Sequence, residues 1–189
     1  MFNLPNNLTL MRIAASPALV FLLYFPGRLA CLAATGLFIA ASLTDIFDGL
    51  LARRFNLVTT MGKFLDPLAD KILVACALVM LSWLGWAEPW VVAAIICREI
   101  AVTGLRAVAA EQGVVIAADA FGKLKTILQI VAICPLLLHY PWFGLDPAPA
   151  GRWLLYLALA LTLVSGVNYL YRFYGNYPDA SGRKRYEQP

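Results

Sequence analysis

Four aspartates, Asp45, Asp48, Asp66 and Asp70, fall at the edges of long apolar runs within the stretch Thr44 to Lys71. Asp45, Asp48, Gly49 and Ala52 stand at i, i+3, i+4 and i+7, one face of a helix, and Gly62, Asp66 and Asp70 at i, i+4 and i+8, one face of the next. If the two helices are antiparallel neighbours, four carboxylates converge beside a surface kept open by residues with almost no side chain. Such a group repels itself unless cations neutralise it. Oxygen ligands with no His or Cys nearby suit Mg²⁺ or Mn²⁺ better than zinc. Hard ions held by few carboxylates commonly hold phosphate oxygens as well, and the small faces at Gly49 and Ala52 leave room for a phosphate or nucleotide. Arg53, one position past that face, could reach a phosphate or extend to lipid headgroups.

Charged groups so placed need a setting, and composition supplies it. The 189 residues are 61% hydrophobic and 14% charged, with mean hydropathy +0.74, against about 45–50% and about 25% in an ordinary soluble domain. This is the composition of an all-α membrane protein. A span takes about 20 apolar residues, so six spans, about 8–25, 28–54, 62–84, 90–110, 120–139 and 152–171, form one domain over 1–189 with no room for a separate soluble one. The opening MFNLPNN reads as a lead-in with Asn6 or Asn7 as helix N-cap, and the first apolar run as a retained span, since it lacks a basic leader. Pro26-Gly27 and Gly85 to Pro89 are turns. Phe55–Met61 and Glu111–Asp119 are connections.

Six spans put both termini on one side, together with Arg12, Arg53, Arg54, Lys63, Lys71, Arg106, Lys123, Lys125, Arg172 and the Arg183-Lys184-Arg185 tail. The other side keeps only Arg28 and Arg152. The excess of basic residues places the termini and the aspartates at the cytoplasmic face. It explains the net charge of +4 better than nucleic-acid binding does. Cys31, Cys76, Cys97 and Cys134, one per apolar segment and without CxxC spacing, read as small buried residues. Trp83, Trp86, Trp90, Trp142 and Trp153 read as interfacial anchors, and His139 as a solvated or headgroup-facing side chain at the end opposite the aspartates.

Taken whole, Asp45-x2-Asp48-Gly49-x2-Ala52-Arg53-x8-Gly62-x3-Asp66-x3-Asp70 fixes eight identities over 26 positions. It resembles in full the signature of the CDP-alcohol phosphotransferase family. The Pro5 to Arg12 opening, Phe64 to Lys71, Arg98-Glu99-Ile100 and Gly122 to Thr126 are similar to one branch, the bacterial CDP-diacylglycerol–glycerol-3-phosphate 3-phosphatidyltransferases. The sixth span and the tail are less distinctive. The resemblance implies the six-helix, homodimeric fold of that family, in the bacterial inner membrane, with the active site facing the cytoplasm. It also implies transfer of a phosphatidyl group from CDP-diacylglycerol to sn-glycerol 3-phosphate.

On these positions it implies that Asp45, Asp48, Asp66 and Asp70 hold two divalent ions, Mg²⁺ or Mn²⁺. Asp45, Gly49, Ala52 and Arg53 would meet the cytidine nucleotide, and Asp70 would be the general base. A carboxylate beside cations is a poor base, so Asp70 should be the least tightly metal-bound of the four. The acceptor phosphate needs a second anion pocket, for which Arg98, Arg106, Lys123 and Lys125 are candidates. Extension to headgroups, or ion pairing of Arg98 with Glu99 or Glu111, is the structural alternative. A sister enzyme using phosphatidylglycerol, inositol phosphate or serine is the rival within the family. An ion or proton transporter is the rival outside it, and would distribute its carboxylates along a path through the membrane rather than at one end.

Overall fold

Each apolar run of the sequence becomes a helix. The computed structural model describes residues 4–55, 60–111, 120–142 and 144–176. These form α1 (Leu4–Tyr24), α2 (Arg28–Phe55), α3 (Thr60–Trp83), α4 (Pro89–Glu111), α5 (Ala120–Leu138) and α6 (Ala148–Asn176). No strand occurs among the described residues, only an isolated bridge between Trp142 and Leu145. Two details differ from the sequence reading. Helix α1 already begins at Leu4, so Asn6 and Asn7 lie inside it rather than capping it. Helices α2 and α3 reach Phe55 and Thr60, which narrows the connection between them to residues 56–59.

Helices of 19 to 29 residues rise ~1.5 Å per residue, so even the shortest is close to the ~30 Å of a bilayer core. Composition is more restrictive than length. Among the described residues only Ala148–Tyr171 is both long and apolar enough to cross a membrane. The apolar parts of four others, Met11–Tyr24, Arg28–Thr44, Lys71–Trp83 and Leu124–Leu138, are shorter. On α2 and α3 the aspartates end the apolar run; on α4, Arg98 and Glu99 interrupt it.

The helices close a ring in the order α1, α2, α5, α6, α4, α3, with α3 also touching α5 and α2 across the middle. One end of the ring is sealed by a continuous apolar core. Leu19 and Leu23 of α1, Phe38 of α2, Leu78 and Leu81 of α3, Val91 and Ile95 of α4, Ile133 and Leu136 of α5, and Leu155 of α6 are buried in it. At this end Gly151 of α6 lies against α5 so closely that a Cβ there would sit 2.7 Å from Leu136 Cγ and 3.0 Å from its backbone nitrogen. Farther along α4 and α6, Val102, Ala109, Tyr169 and Phe173 form a second, smaller apolar group. Hydroxyls inside the helices bond back to their own backbone, Thr35 to Cys31 O, Thr44 to Ala40 O and Thr103 to Glu99 O, which satisfies them where water is scarce.

The sealed end is also tied laterally. Helix α3 stops in a Schellman turn, with Gly85 at φ +73°, Trp86 N donating to Leu81 O at 2.8 Å and Gly85 N to Ser82 O at 3.0 Å. The Tyr140 hydroxyl donates to Pro26 O at 2.5 Å. Arg28 Nη2 donates to Pro141 O at 2.6 Å, and the Arg28 guanidinium lies 4.6 Å above the Trp142 ring. These contacts fasten the α1–α2 turn to the α5–α6 loop. Trp86 stacks on His139 with ring centroids 3.7 Å apart, and His139 stays partly exposed. Trp83, Trp90 and Trp153 are exposed at the same end, as expected of anchors, although Trp83 also stacks on Tyr24. The four cysteines are free thiols; Cys31 is buried but Cys97 is exposed.

Candidate active site

Between the two apolar groups lies a polar layer. On α4 it falls between Ile95 and Val102, on α6 between Leu159 and Tyr169, and on α5 it precedes Ala132. Arg98 Nη1 donates to Glu99 Oε1 at 3.0 Å, and Arg98 Nη2 donates to Ser165 Oγ at 2.9 Å. The Lys125 ammonium donates to the same Glu99 oxygen. One helical turn along α5, Gln129 Nε2 donates to Thr162 Oγ1 at 3.2 Å. The side chains of Arg98 and Lys125 are only 8% and 9% exposed, so these are buried charges, which persist only when paired. Lys71 of α3 acts electrostatically on both Glu99 and Lys125. Among the described residues the layer joins two buried cations, Arg98 and Lys125, to one carboxylate, Glu99, a net positive group suited to an anion.

Among the described residues the backbones of α4 and α5 do not meet; each packs on α6 and α3 instead. The Glu99–Lys125 pair spans the space between them. Arg106, two turns beyond Arg98, is exposed and lies 5.6 Å from the Tyr169 ring. Its charge acts on Arg98, but among the described residues no hydrogen bond joins it to the layer. The structure thus brings Arg98 and Lys125 together, leaves Arg106 at the rim, and adds Glu99, Lys71, Gln129, Thr162 and Ser165. Sequence reasoning overlooked most of these because Ser, Thr and Gln carry no charge. Their positions inside otherwise apolar runs were the available signal.

The motif residues sit where the spacing requires. Asp45, Asp48, Gly49, Ala52 and Arg53 are on α2, and Gly62, Asp66 and Asp70 on α3, helical throughout. Lys123 opens α5. Their side chains lie outside the described residues, and no group of three metal-ligating side chains occurs among those described. Ala69, beside Asp70, is fully buried, and Lys71, on its other side, is half-buried and near enough to act electrostatically on Glu99 and Lys125. The backbone of α3 therefore leads directly from the motif to the cations.

The bundle thus carries the aspartate-bearing stretches on two touching helices and, between its helices, a buried cationic layer. The family profile described as CDP-alcohol phosphatidyltransferase matches residues 2–164. This chain belongs to that family. It is similar to proteins named CDP-diacylglycerol–glycerol-3-phosphate 3-phosphatidyltransferase in several bacteria. The Bacillus subtilis (strain 168) protein is 49% identical over 181 residues, covering 89% of this chain and 94% of that protein. The Rickettsia bellii (strain RML369-C) protein is 39% identical over 168 residues, covering 88% and 93%. The Salmonella choleraesuis (strain SC-B67) protein is 41% identical over 173 residues, covering 89% and 93%.

Proposed function

We propose that this chain is a membrane enzyme that transfers the phosphatidyl group of CDP-diacylglycerol to sn-glycerol 3-phosphate, giving phosphatidylglycerophosphate and CMP. Likeness at 49% identity across nearly the whole of a relative so named supports the reaction. The observation that carries the site is the buried Arg98–Glu99–Lys125 group next to the helix of Asp66 and Asp70. An acceptor bearing a phosphate is what a net cationic layer in an apolar surround selects, because a neutral alcohol would leave those charges uncompensated.

Helices α2 and α3 touch and together carry four carboxylates with no thiolate or imidazole in the motif, a donor set that fits Mg²⁺ or Mn²⁺. Asp45, Asp48, Asp66 and Asp70 hold two such ions, which when bound screen the pyrophosphate and stabilise the CMP leaving group. Asp45, Gly49, Ala52 and Arg53 bind the nucleotide. Arg98, Arg106, Lys123 and Lys125 bind the acceptor phosphate and place its primary hydroxyl at the lipid-bearing phosphorus. Asp70 takes the hydroxyl proton as the new P–O bond forms and the bond to CMP breaks, with the electron pair leaving on the CMP phosphate oxygen. All six helices cross the bacterial inner membrane as one domain over 1–189, with the motif at the cytoplasmic end, and the enzyme works as a homodimer.

Purified protein given CDP-diacylglycerol, Mn²⁺ or Mg²⁺ and a panel of alcohols, with CMP release as the readout, tests the reaction. Glycerol 3-phosphate should be used, and serine, inositol phosphate and phosphatidylglycerol should not. Arg106→Gln should raise the KM for glycerol 3-phosphate far more than that for CDP-diacylglycerol. Equal effects on both would remove Arg106 from the acceptor pocket.

A further inference from the structure

We infer that Ser165 and Gly166 on α6 are positioning residues for the acceptor pocket and set where the Arg98 guanidinium rests. This builds on the proposal that Arg98 binds the acceptor phosphate. The family match ends at residue 164, and α6 carries no charge from Trp153 to Tyr171. Its part in the pocket must come from shape and hydroxyls.

The Arg98 side chain leaves α4 and runs across the bare backbone of α6 at Gly166. A Cβ at 166 would stand 2.9 Å from Arg98 Nε, 3.2 Å from Cγ and 3.6 Å from Cδ. Beyond that crossing, Nη2 is fixed by Ser165 Oγ and Nη1 by Glu99 Oε1. Anchors on two helices define both the reach and the plane of the guanidinium. A guanidinium has five N–H donors; Nε is buried against α6 at Gly166, and Ser165 and Glu99 each engage one N–H of a terminal nitrogen. Among the described residues the second N–H of each terminal nitrogen remains for an incoming anion, in an orientation fixed beforehand. Planar recognition of a phosphate depends on that orientation.

Gly166→Ala makes the decisive variant because of what must yield. The added methyl meets a flexible side chain rather than backbone, so the helices can stay in place while the guanidinium moves. Ser165→Ala removes one anchor without adding volume. In the full-length enzyme in detergent–lipid mixed micelles, each variant should raise the KM for glycerol 3-phosphate about tenfold, the size expected for losing one hydrogen bond to a charged group. The KM for CDP-diacylglycerol and the melting temperature should stay near those of the parent enzyme. Ser165→Thr, which keeps the hydroxyl, should restore the acceptor KM. Adding Ser165→Ala to Arg98→Gln should have no further effect, since the two act through one contact.

If Arg98→Gln raises the acceptor KM while Ser165→Ala and Gly166→Ala do not, the positioning role is wrong and the pocket stands. If Arg98→Gln itself leaves that KM unchanged, the pocket assignment fails and the positioning role falls with it. Equal rises in both KM values, or a matching loss of thermal stability, would make the two residues structural and overturn the proposal.

Discussion

Glu99 on α4 and Lys125 on α5 are paired across a space that their two helix backbones do not close. With Arg98 on the same carboxylate, Glu99 is the counter-charge that lets two buried cations coexist. Replacing it by Gln takes from Arg98 and Lys125 the carboxylate they share. Glu99→Gln should destabilise the protein by about 3 kcal/mol, the lower range for breaking a buried pair. Thermal unfolding in detergent measures it. Removing both members in Glu99→Gln/Lys125→Gln should cost less than the sum of the two single changes.

The two close glycine contacts on α6 should respond differently to alanine. At Gly151 the new methyl would meet Leu136 at its Cγ and its backbone nitrogen. Backbone cannot step aside cheaply, so Gly151→Ala should lower stability by roughly 1–3 kcal/mol through overpacking. Gly166→Ala, which meets only the Arg98 side chain, should be much milder. Paired melting curves of the two variants decide the matter.

Asp70 and Asp45 should fail in different ways. Asp70→Asn removes the proton acceptor and should reduce turnover by at least ~100-fold, while CDP-diacylglycerol still binds. Asp45→Asn should lose metal-dependent nucleotide binding itself. Equilibrium binding of CDP-diacylglycerol with and without Mn²⁺, set beside CMP-release rates, separates the two. Near-normal activity of Asp70→Asn would end its assignment as the base.

Removal of divalent ions should abolish CMP release, and Mg²⁺ or Mn²⁺ should restore it, as expected of a site built from carboxylates alone. Titration of the chelated enzyme with each ion gives the measurement. Full activity after exhaustive chelation would contradict the two-ion site.

Much of this architecture is legible in the sequence because apolar length and the proline–glycine turns are local signals. Helix boundaries lie within a few residues of the expected spans; the largest offsets are the start of α1 at Leu4 and the two ends of α6 at Ala148 and Asn176. That both motif stretches are helical was legible too, and helical periodicity puts their aspartates on one face of each helix. The ring order was not, because it depends on which apolar faces fit, and six similar apolar runs do not say which. The polar layer was half legible. Arg98 and Lys125 stood out by charge, but Glu99 as their shared partner depends on α4 and α5 being held apart by α6. No spacing within either helix encodes that distance. Gly166 was hidden for a related reason: a bare backbone matters only once the side chain crossing it is known.

The fastening of Tyr140 to Pro26 and of Arg28 to Pro141 has a mechanical meaning for a catalyst that must admit a lipid and release a nucleotide. The α1–α2 hairpin and the α5–α6 hairpin are clamped at the apolar, tryptophan-rich end. Levers joined at one end can part only at the other, so the clamp acts as a fulcrum. An opening of the bundle for substrate exchange is therefore expected at the end that carries the aspartates, away from these ties.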